Sequence, residues 1–222
     1  MYLLLGIILL AVWIAIAVRR PDLRKHMLKV SIGGGIAGLL SGFWYLTDYW
    51  RPPTIVGTGV PSPEDFLFGF AITGIAATVY DLLFRTHEVR VHAEQFRMTV
   101  GFIVLGFLSL LLFTNVLGLN SILVSSCAFL LLSAAIVILR PDLLRVSLLS
   151  ATVTTGLIIP IYILLFDVLS PEYWNRYWLL ADTSIGVTIL GNVPLTEVLW
   201  YFSWVSLAAV IPAFTRGRVK ST

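Results

Sequence analysis

Two glutamates in this sequence each begin a long apolar and aromatic run. Glu64 lies in "PSPEDFLFGF" (61–70) and Glu197 lies in "PLTEVLWYFSW" (194–204), each three residues after a proline. A carboxyl group in apolar surroundings is costly to ionise, so it can hold a proton and deliver it to a hydrophobic substrate. A structural interpretation also exists, because proline begins helices well and the helix dipole stabilises an acid in the first turn. Two copies of the pattern favour the chemical interpretation.

Aromatic side chains accompany both glutamates at helical spacing. Tyr201 and Trp204 share a helix face with Glu197, and Phe68 shares one with Glu64. Aromatic faces attract cations, so these rings suit a reaction that passes through a positively charged intermediate. We therefore expect Glu64 and Glu197 to be catalytic. The residues expected to contact the substrate are Phe68, Trp200, Tyr201, Trp204, Asp48 and Asp167.

The composition places these residues in a membrane protein. Of the 222 residues, 58% are hydrophobic and 12% are charged, and the mean hydropathy is +0.93. Soluble domains carry roughly 25% charged residues, so a chain this apolar belongs in a bilayer. The 15 basic residues do not form one patch, which argues against a nucleic-acid partner. The single cysteine excludes a disulfide within the chain.

Seven stretches are long and apolar enough to span a bilayer. They predict an all-α polytopic membrane protein with segments at about 2–18, 27–47, 63–84, 98–117, 121–139, 143–167 and 194–214. The connections after segments 1, 3, 5 and 7 carry 13 of the 15 Lys and Arg residues, and Arg51 and Arg176 are the other two. The positive-inside rule then predicts a multi-pass cell-membrane protein with its N-terminus outside and its C-terminus in the cytoplasm.

The chain also contains an internal repeat. The stretch "RRPDLRKHML" (19–28) returns as "LRPDLLRVSL" (139–148), and each precedes a predicted helix. We interpret 1–97 and 121–222 as two parallel three-helix repeats, with 98–120 as a linking helix. A pseudo-two-fold axis along the membrane normal would bring both Pro-x-x-Glu motifs to the outer face and toward a shared central cavity.

Three further patterns have structural interpretations. Asp22 and Asp142, in the two "RPD" turns, are expected to be helix N-caps. Four glycines of segment 2 predict close helix packing, and they are Gly33, Gly35, Gly38 and Gly42. No metal site is expected, because the histidines and glutamates after segment 3 match no usual zinc spacing. These residues are His87, Glu88, His92 and Glu94.

Two three-helix units, each with a Pro-x-x-Glu motif that opens its last helix and runs into aromatic residues, resemble the lycopene cyclase domain. This membrane-integral family occurs as two separate subunits or as one fused chain. The resemblance covers nearly the whole chain and is most specific at 61–68 and 194–202. The family motif usually reads Pro-x-Glu-Glu. Its second Glu is matched here by Glu64 and Glu197, and its first position holds Pro63 and Thr196.

The resemblance implies an acid-catalysed cyclisation of a carotenoid ψ end to a β-ionone ring. The net change is an isomerisation, so no cofactor is expected. The expected partners are a lycopene-like polyene, the lipid bilayer and a second copy or a related subunit in a homo- or hetero-oligomer. Two alternatives stay open, a non-catalytic carotenoid-binding or partner subunit of the same fold and a small membrane transporter.

Overall fold

The computed structural model describes residues 1–221, apart from the side chains at positions 87, 88, 90, 220 and 221. Within this part of the chain the α-helices are α1 (Tyr2–Arg19), α2 (Arg24–Asp48), α3 (Pro63–Phe84), α4 (Phe96–Leu110), α5 (Ser121–Leu139), α6 (Leu144–Tyr162), α7 (Tyr173–Tyr177), α8 (Leu195–Ala208) and α9 (Ile211–Thr215). Two π-helical segments, Leu111–Val116 and Ile163–Val168, continue α4 and α6.

Seven helical spans in the described chain are long and apolar enough to cross a membrane. They are Tyr2–Arg19, Pro21–Asp48, Pro63–Phe84, Phe96–Val116, Ser121–Leu139, Pro141–Val168 and Leu195–Thr215. This confirms the predicted all-α polytopic fold. The largest difference from the predicted segments is at the start of the second, where Pro21–Leu23 forms a 3₁₀ turn before α2. The predicted orientation of the termini stays a prediction.

The two "RPD" turns have the same structure in both halves of the chain. Each "PDL" triplet forms a 3₁₀ turn, preceded by Arg20 at φ −129°, ψ 74° or by Arg140 at φ −140°, ψ 76°. Arg20 Nε donates to Asp22 Oδ1 at 2.9 Å. Arg140 Nε donates to Asp142 Oδ1 at 2.7 Å. Both aspartates therefore pair with arginines and are not the helix N-caps that we expected. The two-repeat arrangement stays a prediction.

The backbones of α2 and α3 are in direct contact. A Cβ atom built on Gly69 would lie 2.4 Å from the Gly34 carbonyl oxygen, and one on Gly38 would lie 2.5 Å from the Asp65 carbonyl oxygen. Small residues are needed here because a larger side chain would force the helices apart. Gly38 thus behaves as predicted, whereas a Cβ on Gly33 would meet no atom within 4 Å. The contact fixes the start of α3 against α2.

Two small antiparallel sheets accompany the helices in the described chain, and one of them joins distant segments. β1 (His87–Arg90) follows α3 and pairs with β4 (Arg218–Ser221), which follows α9. β2 (Thr188–Ile189) pairs with β3 (Val193–Pro194) just before α8. The side chains of His87 and Glu88, part of the cluster that we expected to bind no metal, lie outside the described residues.

The largest buried side chains gather at the end of the bundle where α1, α3, α5 and α8 begin. Tyr49 and Trp50 follow α2, and Trp50 packs against the short helix α7, with its ring stacked on that of Trp174 at 5.7 Å. Trp50 also forms an isolated β-bridge with Trp178. This aromatic layer closes one end of the helix bundle, above a cavity among the helices.

Candidate active site

A cavity that is open on one side lies among α1, α2, α3, α5, α6 and α8. Most of its lining is apolar or aromatic, as in many ligand sites. Two carboxyl groups are part of this lining, those of Asp65 on α3 and Glu197 on α8. The structure thus brings one acid from each half of the chain to the same cavity.

Glu197 is the third residue of α8, and its side chain is 6% exposed. The Tyr49 hydroxyl donates to its Oε1, and the Tyr162 hydroxyl donates to its Oε2 at 2.7 Å. The Tyr162 hydroxyl also lies 3.1 Å from that of Tyr201. An ionised carboxylate without a cation partner is costly in such surroundings, and these neighbours are neutral hydroxyls. The arrangement suits a carboxyl group that carries a proton.

Local structure holds the two tyrosines that contact Glu197. Tyr49 follows the last residue of α2, and its carbonyl oxygen accepts the Leu179 N–H at 2.9 Å. Burial raises the pKa of the Tyr49 hydroxyl, so this hydroxyl keeps its proton at neutral pH. Tyr162 is the last residue of α6 before a π-helical turn, and such turns frequently occur at functional sites.

Asp65 is the third residue of α3 and is held by three donors. The N–H and the hydroxyl of Ser62, the N-cap residue, donate to Asp65 Oδ2 at 2.7 and 3.0 Å. The Tyr2 hydroxyl donates to Asp65 Oδ1 at 2.8 Å. Ser62 and Asp65 form a capping box, which explains why α3 begins at Pro63.

Glu64, expected to be the counterpart of Glu197, lies elsewhere. It is buried, its Oε1 accepts the Ile55 N–H at 2.7 Å, and it is not among the residues that line the cavity. Glu64 is the second residue of α3, whereas Glu197 is the third residue of α8. Position in the helix therefore pairs Asp65 with Glu197, and Glu64 with Thr196. The expected equivalence of Glu64 and Glu197 is therefore not seen, and the residue after Glu64, Asp65, takes the position equivalent to Glu197.

The predicted aromatic residues do gather around the cavity. Phe68, Trp200 and Trp204 line it, with ring centroids 5.8 Å apart for Phe68 and Trp200. The rings of Trp200 and Trp204 stack at 6.2 Å. Tyr201 is fully buried behind them, 6.0 Å from the Phe68 ring, and reaches the site through its hydrogen bond with Tyr162.

The two predicted aspartate contacts lie outside this group. Asp48 Oδ2 accepts the Ser121 N–H at 2.6 Å, at the first residue of α5. Asp167 Oδ1 accepts the Asn192 N–H at 2.8 Å, in the connection before α8. Neither aspartate is among the residues that line the cavity. Both carboxylates tie neighbouring segments together at the same end of the bundle.

The cavity opens sideways between helices. Ala37 on α2 is exposed, and Ser41 on α2, Phe129 on α5 and Trp204 on α8 are partly exposed, although all four line the cavity. Nearer the aromatic end, the Tyr45 hydroxyl closes the same gap by donating to Ser125 Oγ at 2.7 Å. The mouth therefore faces the surface that the bilayer would cover.

Sequence reasoning did not single out Tyr2, Tyr49, Tyr162 or Asp65 as site residues. One signal was present for Asp65, the pattern Ser-x-x-Asp at 62–65, which is a capping-box variant. Tyr2 and Tyr49 lie at the ends of apolar runs, where a boundary aromatic belt is an equally good interpretation. Tyr162 lies within an apolar run, where a buried aromatic residue is ordinary.

Comparison with known proteins relates this geometry to a family. The lycopene cyclase family model matches residues 120–215, which extend from the start of α5 to the end of α9. No curated protein and no solved structure matches the chain. The matched region contains Glu197, Tyr162 and Trp200. This match agrees with the resemblance seen in the sequence, and it covers residues 120–215.

Proposed function

We propose that this protein is a membrane-integral, lycopene cyclase-like enzyme that closes the ψ end of a carotenoid into a β-ionone ring. The reaction adds one proton, passes through a carbocation and removes another proton, so there is no net redox change. The family match over residues 120–215 supports the reaction class. The seven apolar spans support a site inside the bilayer, where such a polyene dissolves.

The observation that carries the proposal is the carboxyl group of Glu197. It faces an aromatic cavity, it is buried, and its hydrogen bonds come from Tyr49 and Tyr162. A general acid that protonates an alkene has to approach the hydrocarbon without an intervening water layer. A protonated carboxyl group in this cavity meets that requirement.

The surrounding rings suit the carbocation that protonation creates. Phe68, Trp200 and Trp204 line the cavity together with Glu197. Their π-faces attract positive charge, and a cation–π contact contributes about 2 kcal/mol or more when it is desolvated. Apolar walls also exclude water, which would otherwise capture the cation.

The lateral mouth suggests how the substrate arrives. A polyene dissolved in the membrane would enter between α2 and α5, past Ala37 and Phe129, with its end group leading. The outer location of the site and the external N-terminus belong to the same proposal, and they rest on the distribution of Lys and Arg.

Pigment analysis tests the function. The chain is expressed in a bacterium that accumulates lycopene, and the extracted carotenoids are separated by chromatography. We expect β-ring products to appear, and purified protein in lycopene-loaded liposomes should form them without added cofactor. Absence of both carotenoid binding and cyclised product in liposomes would contradict the proposal.

A non-catalytic partner subunit is the second candidate. It is favoured by Thr196, which stands at the second position of α8, where the family motif usually has its first Glu. A protein of this kind would produce no cyclised product alone. It would increase the product yield of a co-expressed active cyclase of the same family. An increase in the partner's yield without activity of its own would favour this candidate over the enzyme.

A further inference from the structure

The two carboxyl groups in the cavity have different hydrogen-bond partners. Glu197 receives its hydrogen bonds from the hydroxyls of Tyr49 and Tyr162. A hydroxyl can donate or accept, so a protonated Glu197 can donate its own proton to one tyrosine and still accept from the other. Glu197 therefore gains or loses a proton without leaving a buried group unpaired.

Asp65 cannot exchange donor and acceptor roles at its Oδ2 atom. Its Oδ2 accepts from the Ser62 N–H at 2.7 Å and from the Ser62 hydroxyl at 3.0 Å, and a backbone N–H can only donate. As the third residue of α3, Asp65 also lies where the helix dipole stabilises negative charge. Its other oxygen, Oδ1, meets only the adaptable Tyr2 hydroxyl at 2.8 Å. These donors stabilise the ionised form more than the hydroxyls around Glu197 do, and Oδ1 is the atom able to take up a proton.

We propose that the two halves divide the reaction, with Glu197 as the proton donor and the Asp65 carboxylate as the proton acceptor. This inference rests on the proposed function and makes Asp65 a second catalytic residue. It also assigns Glu64, the acid that sequence spacing selected, to the connection that contains Ile55.

The proton and electron balance of this scheme closes. The Glu197 O–H bond breaks and a C–H bond forms at the terminal double bond of the ψ end, which leaves a tertiary cation. The electrons of a second double bond form the ring C–C bond and move the positive charge into the ring. Asp65 Oδ1 then takes the proton from the ring carbon that has just formed the new C–C bond, next to the cationic carbon. The electrons of that C–H bond become the ring double bond. Return of that proton to Glu197 between turnovers restores both groups.

The position of Phe68 fits a cation that forms near one acid and is quenched near the other. Its ring lies 6.0 Å from the ring of Tyr2, the partner of Asp65. It also lies 6.0 Å from the ring of Tyr201, which is hydrogen-bonded within the Glu197 group. A π-face between the two acids would stabilise the charge on its way from donor to acceptor.

Substitution of Asp65 tests this division through the identity of the product. In the lycopene-accumulating strain, we expect Asp65→Asn to lower the β-ring yield about 10²–10⁴-fold, the contribution of a positioned base. The remaining cation should lose a different proton or capture water, so the residual product should carry its double bond elsewhere or a hydroxyl group. Asp65→Glu, which keeps the carboxyl group, should restore part of the β-ring yield.

Ser62→Ala separates the chemical role from helix capping. It removes the hydroxyl donor but leaves the backbone donor and the acid, so it should lower thermal stability and leave the ring double bond in place. If Asp65→Asn is not inserted in the membrane, Tyr2→Phe replaces it, because it alters only the Oδ1 partner. A several-fold lower yield at equal expression is expected from Tyr2→Phe.

Three results would overturn the inference and leave the proposed function standing. The first is a wild-type β-ring yield from Asp65→Asn at equal membrane expression, and the second is an unchanged yield from Tyr2→Phe. The third is the same altered product from Ser62→Ala as from Asp65→Asn, which would make the effect structural. If the wild-type chain forms no cyclised product, the proposed function itself fails.

Discussion

Replacement of Glu197 by glutamine would remove the proposed proton donor and keep the cavity intact. The side-chain amide can accept one hydrogen bond from Tyr162 and donate one to Tyr49, because both hydroxyls can play either role. Each such bond contributes about 0.5–1.5 kcal/mol, so the change in stability should be small. A leucine would instead remove this partner from both buried hydroxyls, so that Tyr162 keeps only the Tyr201 hydroxyl at 3.1 Å and Tyr49 only the Thr196 hydroxyl at 3.5 Å. An unsatisfied buried hydroxyl costs about 1–3 kcal/mol.

The effect of Glu197→Gln on catalysis should be much larger than its effect on folding. A positioned general acid accelerates proton transfer by about 10²–10⁴-fold, and an amide cannot deliver a proton to an alkene. Glu64→Gln is the matched control, since it makes the same chemical change in an acid that faces Ile55 and not the cavity. We expect this control to lower the rate by less than about tenfold.

The assay is the carotenoid profile of lycopene-accumulating cells that express each variant. Immunoblots of the membrane fraction establish equal expression, and size-exclusion chromatography in detergent establishes that the variants are folded. A wild-type product yield from Glu197→Gln under these conditions would refute the assignment of Glu197 as the donor. Equal losses from Glu197→Gln and Glu64→Gln would show that cavity position does not determine the effect.

Three further predictions follow from the geometry. Tyr49→Phe removes one donor to Glu197 and should lower product formation about 2- to 10-fold, the kinetic equivalent of one net hydrogen bond; an unchanged yield would show that this bond is not used. Ala37→Trp should obstruct the lateral mouth and lower product yield, whereas Leu40→Trp, on the exposed face of α2, should not, and equal yields would argue against lateral entry. In a cysteine-free background, Thr58→Cys should react with an impermeant reagent outside intact cells and Glu94→Cys should not, and the reverse labelling would overturn the orientation.

The membrane spans were predictable from sequence because a bilayer imposes a strong length requirement. About 20 apolar residues are needed per helix, and stretches of this length rarely arise otherwise. The π-helical segments that continue α4 and α6 were not predicted from the sequence. An extra residue per turn leaves the apolar character of a segment unchanged, so the hydropathy pattern does not reveal it. In α6 the interior Pro160 cannot donate a helix hydrogen bond, which fits a changed geometry just after it.

The site was only partly predictable because spacing from a proline does not fix where a helix begins. Pro61 and Pro63 both precede Glu64, and counting from Pro61 gave the same spacing as Pro194 to Glu197. The helix begins at Pro63, because Ser62 is its N-cap. The aromatic neighbours were predictable, since helical periodicity already places them on the face of Glu197. The contact between Tyr2 and Asp65 spans 63 residues, so local sequence patterns could not show it.

The described residues of α4 contribute nothing to the cavity lining, and this has a consequence for assembly. The π-helical segment that continues α4 contacts α2 through the hydrogen bond from Trp44 Nε1 to Asn115 Oδ1 at 3.2 Å, and the main neighbour of α4 is α5. In the predicted two-repeat arrangement, one extra crossing by α4 would let the second half enter the membrane in the same direction as the first. The helix would then act as a covalent tether that fixes a one-to-one stoichiometry of the two acid-bearing halves. Halves made as separate chains would need equal synthesis and an encounter in the membrane to reach the same state.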